Sequence, residues 1–372
     1  MGLRLLWIVL IVQAIVMTAI LLVLPRIMRR GLLFGVYVGE DRWDGDEVRA
    51  ISRGWYLGTV GALGASLLVG LALGIASPAT PAGPVAAVLA LVLLSPLVYL
   101  RAYFRARALG VPVPAAPAEA TLAPDHATDV AWPIFAISLG IVAGTLAIGH
   151  AALHYGDMPA RVPTHFGPAG RPDAWAPRTV GSVMALPFGT LVMGVVLGVT
   201  ALLTARAKRT PRAGDQGVSI AAQLRFRNAM TRFLSGIAIL TTVMMMLLSI
   251  GAVRVMIGQA SALPTLVVWP MTAALAIYAV GGSLYLMFRY GQGGARLERG
   301  AGDAPLTDGL ADNSRWVLGA FYVNRDDPSI FVEKRFGIGY TINFGNPKAV
   351  LLLVLFLAAI GALVAMGLAS GS

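Results

Sequence analysis

Eight long apolar runs, separated by charged connections, constrain this chain more than any other feature. They occupy residues 5–24, 55–76, 85–104, 131–153, 180–204, 233–253, 264–288 and 347–366 of 372. Each is about the 20 residues an α-helix needs to cross a hydrocarbon core. Asp, Glu, Lys and Arg are absent from their interiors; Arg101 and Lys348, near the ends of their runs, count with the connections. Lipid offers no partner to backbone N–H and C=O groups, so such runs must be helical. Composition agrees, at 57% hydrophobic and 13% charged, where a soluble domain has about 25% charged residues. A soluble enzyme, a secreted disulfide scaffold and a disordered chain are excluded. The absence of cysteine removes thiolate metal sites, redox motifs and thiol nucleophiles. The expected fold is an all-α integral membrane protein of about eight transmembrane helices.

The connections set the orientation. The first, third, fifth and seventh hold 24 of the 29 Lys and Arg residues; Arg4, Arg161, Arg171, Arg178 and Arg254 are the other five. Basic loops face the cytoplasm, so both termini are expected outside. The formal charge of +11 then has its explanation in topology. No nucleic-acid partner is expected, because the basic residues are not interleaved with aromatic rings on a compact domain. The first run is read as an anchored helix rather than a cleaved leader. It is too long for a signal segment, and Arg26, Arg29 and Arg30 follow it instead of preceding it. Small-residue pairs at Gly70/Gly74, Gly140/Gly144 and Gly194/Gly198 allow close helix approach, more in keeping with packing inside one bundle than with dimerisation. Pro96 and Pro187 mark kinks or adjustments near span ends.

Function is expected in the connections. Residues 154–178 read HYGDMPARVPTHFGPAGRPDAWAPR. Pro159, Pro163, Pro168, Pro172 and Pro177 fix φ and remove donors, predicting a stiff, largely non-helical loop. Three of the four histidines, His150, His154 and His165, sit at or near this loop. His150 and His154, four apart on one helix face, are candidate zinc ligands with His165, Asp157 or Asp173 completing the shell. The alternative is interfacial histidines bonded to loop backbone. The general-base Glu of an H-E-x-x-H helix is missing, since Ala151, Ala152 and Leu153 lie between.

Pro159, Pro163, Thr164, His165, Phe166, Gly170, Pro172, Asp173, Trp175 and Arg178 carry a family resemblance. The pattern P-x-x-x-P-T-H-F, a glycine turn, then P-D-x-W and a basic residue resembles the outer-loop motif of bacterial multi-pass proteins of the SdpI toxin-immunity group. It covers about 50 residues, the loop with its flanking helices. Gly167 stands where the group has Asn or Asp, so one turn contact is expected to be missing. The resemblance implies a cell-membrane protein that protects against, or senses, a membrane-active peptide toxin or envelope stress, with the ligand held at the outer loop. It also implies recruitment of a cytoplasmic transcription repressor by basic loops. A structural latch joining the fourth and fifth helices is an equal reading of the motif.

On the other side, residues 32–38 are apolar but too short to cross. Asp46, Glu47 and Arg49 are expected to open a helix running into the second crossing. Residues 218–232 read as a basic amphipathic approach to the sixth crossing. Residues 291–315 are expected to be a flexible Gly-rich linker without a phosphate loop. Residues 316–346 then form a small β-hairpin-like module, with alternation over 329–334 and 339–344 and a turn at 324–328. Trp316, Tyr322, Asn324, Asp326, Asp327, Pro328, Gly339, Thr341 and Asn343 resemble an uncharacterised module of membrane proteins of the same group. The aspartates are expected to sit in a solvated turn.

The expected organisation is a three-helix region (1–130), the SdpI-like unit (131–204), a connector with two helices (205–290), the linker (291–315), the module (316–346) and the last helix with its tail (347–372). A non-enzymatic role without cofactor leads. A zinc-dependent membrane enzyme using His150, His154 and His165, and a small-molecule or lipid transporter, are the alternatives.

Overall fold

The computed structural model describes residues 3–111, 128–208, 216–297 and 310–369. Among these are eight helices: α1 (Leu3–Ile27), α2 (Asp46–Ala76), α3 (Ala82–Arg107), α4 (Ala131–Leu153), α5 (Val180–Ala205), α6 (Gln216–Met256), α7 (Thr265–Tyr290) and α8 (Pro347–Ala369). Each is long and apolar enough to cross a membrane. The protein is an all-α multi-pass membrane protein. Four two-stranded antiparallel hairpins lie between the helices: β1 (Leu32–Leu33) with β2 (Val36–Tyr37), β3 (Arg161–Phe166) with β4 (Pro172–Pro177), β5 (Trp316–Val317) with β6 (Phe321–Tyr322), and β7 (Phe331–Glu333) with β8 (Tyr340–Ile342).

Helix ends follow local chemistry more than hydropathy. Helix α2 starts at Asp46, ahead of its apolar run, with Asp46 and Glu47 in its first turn, where carboxylates offset the positive end of the helix dipole. Helix α6 joins the amphipathic approach and the sixth crossing into 41 residues. At 1.5 Å per residue that is about 60 Å, twice a hydrocarbon core, so its first turns project beyond it.

Small residues bring the helices together. A Cβ on Gly140 would lie 2.7 Å from the Gly194 carbonyl carbon, and one on Gly144 2.5 Å from Leu191 Cα. Helices α2 and α3 meet similarly, with Gly70 against Ala87. These pairs therefore serve packing within the chain. Hydroxyls buried between helices donate to carbonyls one turn back, Thr190 to Leu186 and Ser235 to Thr231.

The basic connections fold together into a cap on one side of the bundle. Residues 32–38 form the β1–β2 hairpin, whose Phe34 is fully buried. Phe34 lies 5.1 Å from Trp55, and Phe336 of the module lies 4.7 Å from Tyr99, ring centre to ring centre. The linker expectation is corrected at its described ends. Gln292–Gly294 is a buried 3-10 turn, and Leu310 and Ala311 are buried; residues 298–309 lie outside the described residues. The turn is ordered because it satisfies Arg29. Gln292 Oε1 accepts from the Arg29 amide at 2.9 Å, Gly293 O accepts from its guanidinium at 3.0 Å, and Glu333 pairs with Arg29 Nε at 3.2 Å. A side chain at Gly293 would collide with Glu333.

Candidate functional site

On the side opposite the cap, the proline-rich loop forms the β3–β4 hairpin. Its register pairs Arg161 with Pro177, Val162 with Ala176 and Pro163 with Trp175, then slips before His165 meets Ala174. Prolines remove ladder donors, and such strands tolerate them only where pairing is short or irregular. The inner face buries Val162, with Phe166 half-buried, against Met184 of α5 and Val253 and Met256 of α6. The turn is closed by Gly167 N donating to Arg171 O at 2.9 Å and Gly170 N to Gly167 O at 2.8 Å.

Three anchors fix this hairpin to the helices. Arg178 donates to the carbonyls of Tyr155, Gly156 and Met158, at 3.2, 3.4 and 2.5 Å, and its guanidinium stands 5.3 Å from the Tyr155 ring centre. Thr179 and Ser182 exchange hydrogen bonds at the start of α5, the reciprocal arrangement that satisfies two orphan N–H groups. At the tip, Leu263 N donates to Gly170 O at 2.9 Å and Trp269 Nε1 to Pro168 O at 3.0 Å. Gly170 has φ +73, and a Cβ there would meet Thr265 Cγ2 at 2.7 Å. Trp269 and Leu263 are site residues that sequence reading missed. Leu263 lies between two apolar runs and Trp269 near the start of the seventh, and that position was their signal.

The outward face carries Thr164, His165, Asp173 and Trp175, all exposed, and Pro159 is exposed beside them. Asp173 Oδ1 lies 2.5 Å from His165 Nδ1, with the side chains 70% and 50% accessible. Asp173 is the only hydrogen-bond partner of the His165 ring among the described residues, and the ring stays largely accessible. A carboxylate on one ring nitrogen orients the imidazole and fixes what the other can do. Asp173 Oδ2 would stand 3.1 Å from a Cβ at Gly167, so this carboxylate occupies the space beside the position where the resembled motif has Asn or Asp.

Of the histidines offered as zinc ligands, His150 and His154 lie together at the end of α4, and His165 lies apart on the hairpin. His154 pairs with Asp157 at 3.1 Å, and His150 stands edge-on to His154 with ring centres 4.9 Å apart. His165 is engaged separately by Asp173. Among the described residues no group of three His, Asp or Glu side chains could hold a metal ion. His165 lies on β3 of the hairpin, apart from the end of α4 that carries the other two.

In the cap, the module residues mainly satisfy one another. Asn343, fully buried, donates to the carbonyls of Asn324 and Asp327 and accepts from the amides of Asn324 and Gly345. Trp316 packs on Tyr322 at 5.1 Å, and Thr341 pairs with Val332. Pro328 O accepts from Asn346, and Gly339 O accepts from the Lys334 amide. Asp326 is exposed, but Asp327 corrects the solvated-turn expectation. Its side chain is 4% accessible and accepts from Lys208 Nζ at 2.8 Å, Tyr322 Oη at 3.0 Å and the Ser329 amide at 2.9 Å. Burial pushes this carboxyl up, yet the hydrogen bonds from Lys208 and Ser329 outweigh it and hold the group at about 2. Lys208, Asn313 and Arg335 were not singled out in sequence; each has a partner on a distant connection, Asp327, Tyr37 and Gly35 respectively.

Two family models match parts of the chain. A domain of unknown function (DUF1648) matches residues 140–191, from within α4 through the hairpin into α5. A family of unknown function (DUF5808) matches residues 325–350, the turn with Asp327, the β7–β8 hairpin and the start of α8. No curated protein and no solved structure matches the chain. The protein is thus a multi-pass membrane protein carrying segments similar to two uncharacterised domains, one at each of the ordered connections described above.

Proposed function

We propose that this is a non-catalytic sensor or immunity protein of the bacterial cell membrane, which captures a peptide or lipid-like ligand at the β3–β4 hairpin. The reading rests on the SdpI resemblance, and on the basic-residue count that places the hairpin outside. The single observation that carries it is the exposed His165–Asp173 pair on a hairpin fastened to the ends of α4, α5, α6 and α7. A fixed platform loses little freedom when it binds. His165 Nε2 offers an oriented polar contact, and the half-exposed Trp175 ring adds apolar surface of the kind that anchors interfaces. Helix α5 leads from β4 to the cap, where Lys208 holds Asp327. That path supports transmission of hairpin binding to the basic connectors, where the resemblance implies a repressor docks.

The test is to challenge cells lacking the gene, and cells carrying His165→Ala or Asp173→Asn, with a panel of membrane-active peptide toxins. Increased sensitivity to at least one toxin is expected in all three, with wild-type amounts of folded variant protein. Unchanged sensitivity of the deletion across the panel defeats the immunity reading. Loss of folded protein in both variants favours the latch.

A further inference from the structure

The cap contains a cavity of about 470 Å³ whose lining includes Arg335, Arg107, Asn313, Ser314, Trp316 and Leu318. Its elements come from three distant parts of the chain: the β1–β2 hairpin, the last turn of α3 and the module. Arg335 is 1% exposed. Its Nη1 donates to Gly35 O at 3.1 Å and Asn313 Oδ1 at 2.8 Å, and Trp316 covers the guanidinium at 5.2 Å. Among the described residues, Nε and Nη2 have no hydrogen-bond partner and no carboxylate forms an ion pair with Arg335. Asp312, nearby, is engaged by Arg315 at 2.9 Å and by Ser314. A buried guanidinium without a counter-ion is among the costliest arrangements in a fold. A hydrophobic side chain of similar size would fill the place at lower cost, so retaining the charge points to an anion.

The second wall of the cavity supplies another cation. Arg107, the last residue of α3, is exposed, and its side chain has no ion-pair or hydrogen-bond partner among the described residues. Two guanidinium groups with hydroxyl and amide neighbours make the donor array that binds phosphate oxygens, often in pairs. Trp316 and Leu318 give the same cavity apolar walls, suited to the body that carries the phosphate.

We propose that this cavity binds a phosphate-bearing anion, with Arg107 contacting it and Arg335 supplying buried positive charge behind it. The anion is either the headgroup of an anionic phospholipid or a soluble phosphate compound. This site is independent of the ligand proposed for the β3–β4 hairpin.

The experiment uses the full chain in phosphatidylcholine nanodiscs, with thermal unfolding and equilibrium binding as readouts. Inorganic phosphate and ATP are added in one arm; in the other, a tenth of the lipid is replaced by phosphatidylglycerol. Stabilisation by phosphate or ATP identifies a soluble anion, and stabilisation by phosphatidylglycerol alone identifies a headgroup. In either case Arg107→Gln, on an exposed position, should fold normally and weaken the effect about tenfold. Arg335→Lys, which keeps the charge but not the fork, should weaken it further. No stabilisation in either arm, or the same stabilisation in wild type and Arg107→Gln, overturns the proposal.

Discussion

Gly35 and Gly319 meet backbone to backbone: a Cβ on Gly35 would lie 2.3 Å from the Gly319 carbonyl oxygen. Both follow a non-glycine residue at positive φ, Phe34 at 46° and Leu318 at 51°. Each pair forms the tight turn of a hairpin, β1–β2 and β5–β6. The Tyr99 hydroxyl lies 3.3 Å from Phe34 O and 2.8 Å from Leu318 O, joining the two turns. The first and seventh connections are thereby locked tip to tip on α3.

Gly35→Ala should consequently damage the cap. The substitution meets backbone rather than a movable side chain, and adds strain at φ +80. A loss of roughly 2 kcal/mol or more is expected. Gly61→Ala in α2, where a Cβ meets nothing within 4 Å, should be neutral or slightly stabilising. Thermal unfolding of the two variants in the same detergent separates a specific contact from a general intolerance of glycine replacement.

Arg178→Ala should loosen the β3–β4 hairpin while leaving the bundle intact. Three carbonyls lose their common donor, which costs about 2 kcal/mol for charged hydrogen bonds. Hydrogen exchange should rise across 155–177 and stay unchanged in α4 and α5 away from their ends. Arg178→Lys should rescue only part of the protection, since one ammonium cannot reproduce the planar fork. Equal exchange in wild type and Arg178→Ala would show that the hairpin is held by its apolar face alone.

Asp327 gives the cap an acid-sensitive element. Its carboxyl sits at about 2 in the folded protein, below the value of about 3.9 for an unfolded Asp. Its contribution is therefore complete above the unfolded value and is lost as pH falls from about 4 toward 2. Asp327→Asn should lower the unfolding temperature at pH 7 and flatten its decline between pH 5 and pH 2.5. A decline as steep as wild type would assign acid sensitivity to other carboxylates.

How much of this could be read from the chain follows from the range of each interaction. The eight crossings were legible because lipid forces helices on any long apolar run. The start of α2 at Asp46 and the β7–β8 pairing were legible because acidic first turns and strand alternation are local patterns. The loop at 154–178 read as stiff and non-helical, and it is a hairpin. Its five prolines hid the strand pairing, because proline argues against a ladder. Nothing local says that Gly35 faces Gly319. Likewise Arg29 pairs with Glu333 across most of the chain, and Lys208 with Asp327 across 119 residues. Composition read 291–315 as flexible because glycines there looked like freedom. At Gly293 the missing side chain instead makes room for Glu333 beside Arg29.

Gly170 tests whether the hairpin tip is fastened or merely adjacent to α7. Its φ of +73 favours glycine, and an added methyl would meet Thr265 Cγ2 at 2.7 Å and Leu263 O at 2.9 Å. The flanking contacts, Leu263 N to Gly170 O and Trp269 Nε1 to Pro168 O, cannot all survive that intrusion. Gly170→Ala should lift the tip from the α6–α7 connection without unfolding the strands, which Arg178 holds from the other end. Hydrogen exchange at the Leu263 amide, which donates to Gly170 O, should accelerate several-fold in the folded variant. Trp269→Phe, which removes one hydrogen bond and keeps the ring, should accelerate it less. Unaltered exchange in Gly170→Ala would mean that the tip is free of α7 in the membrane.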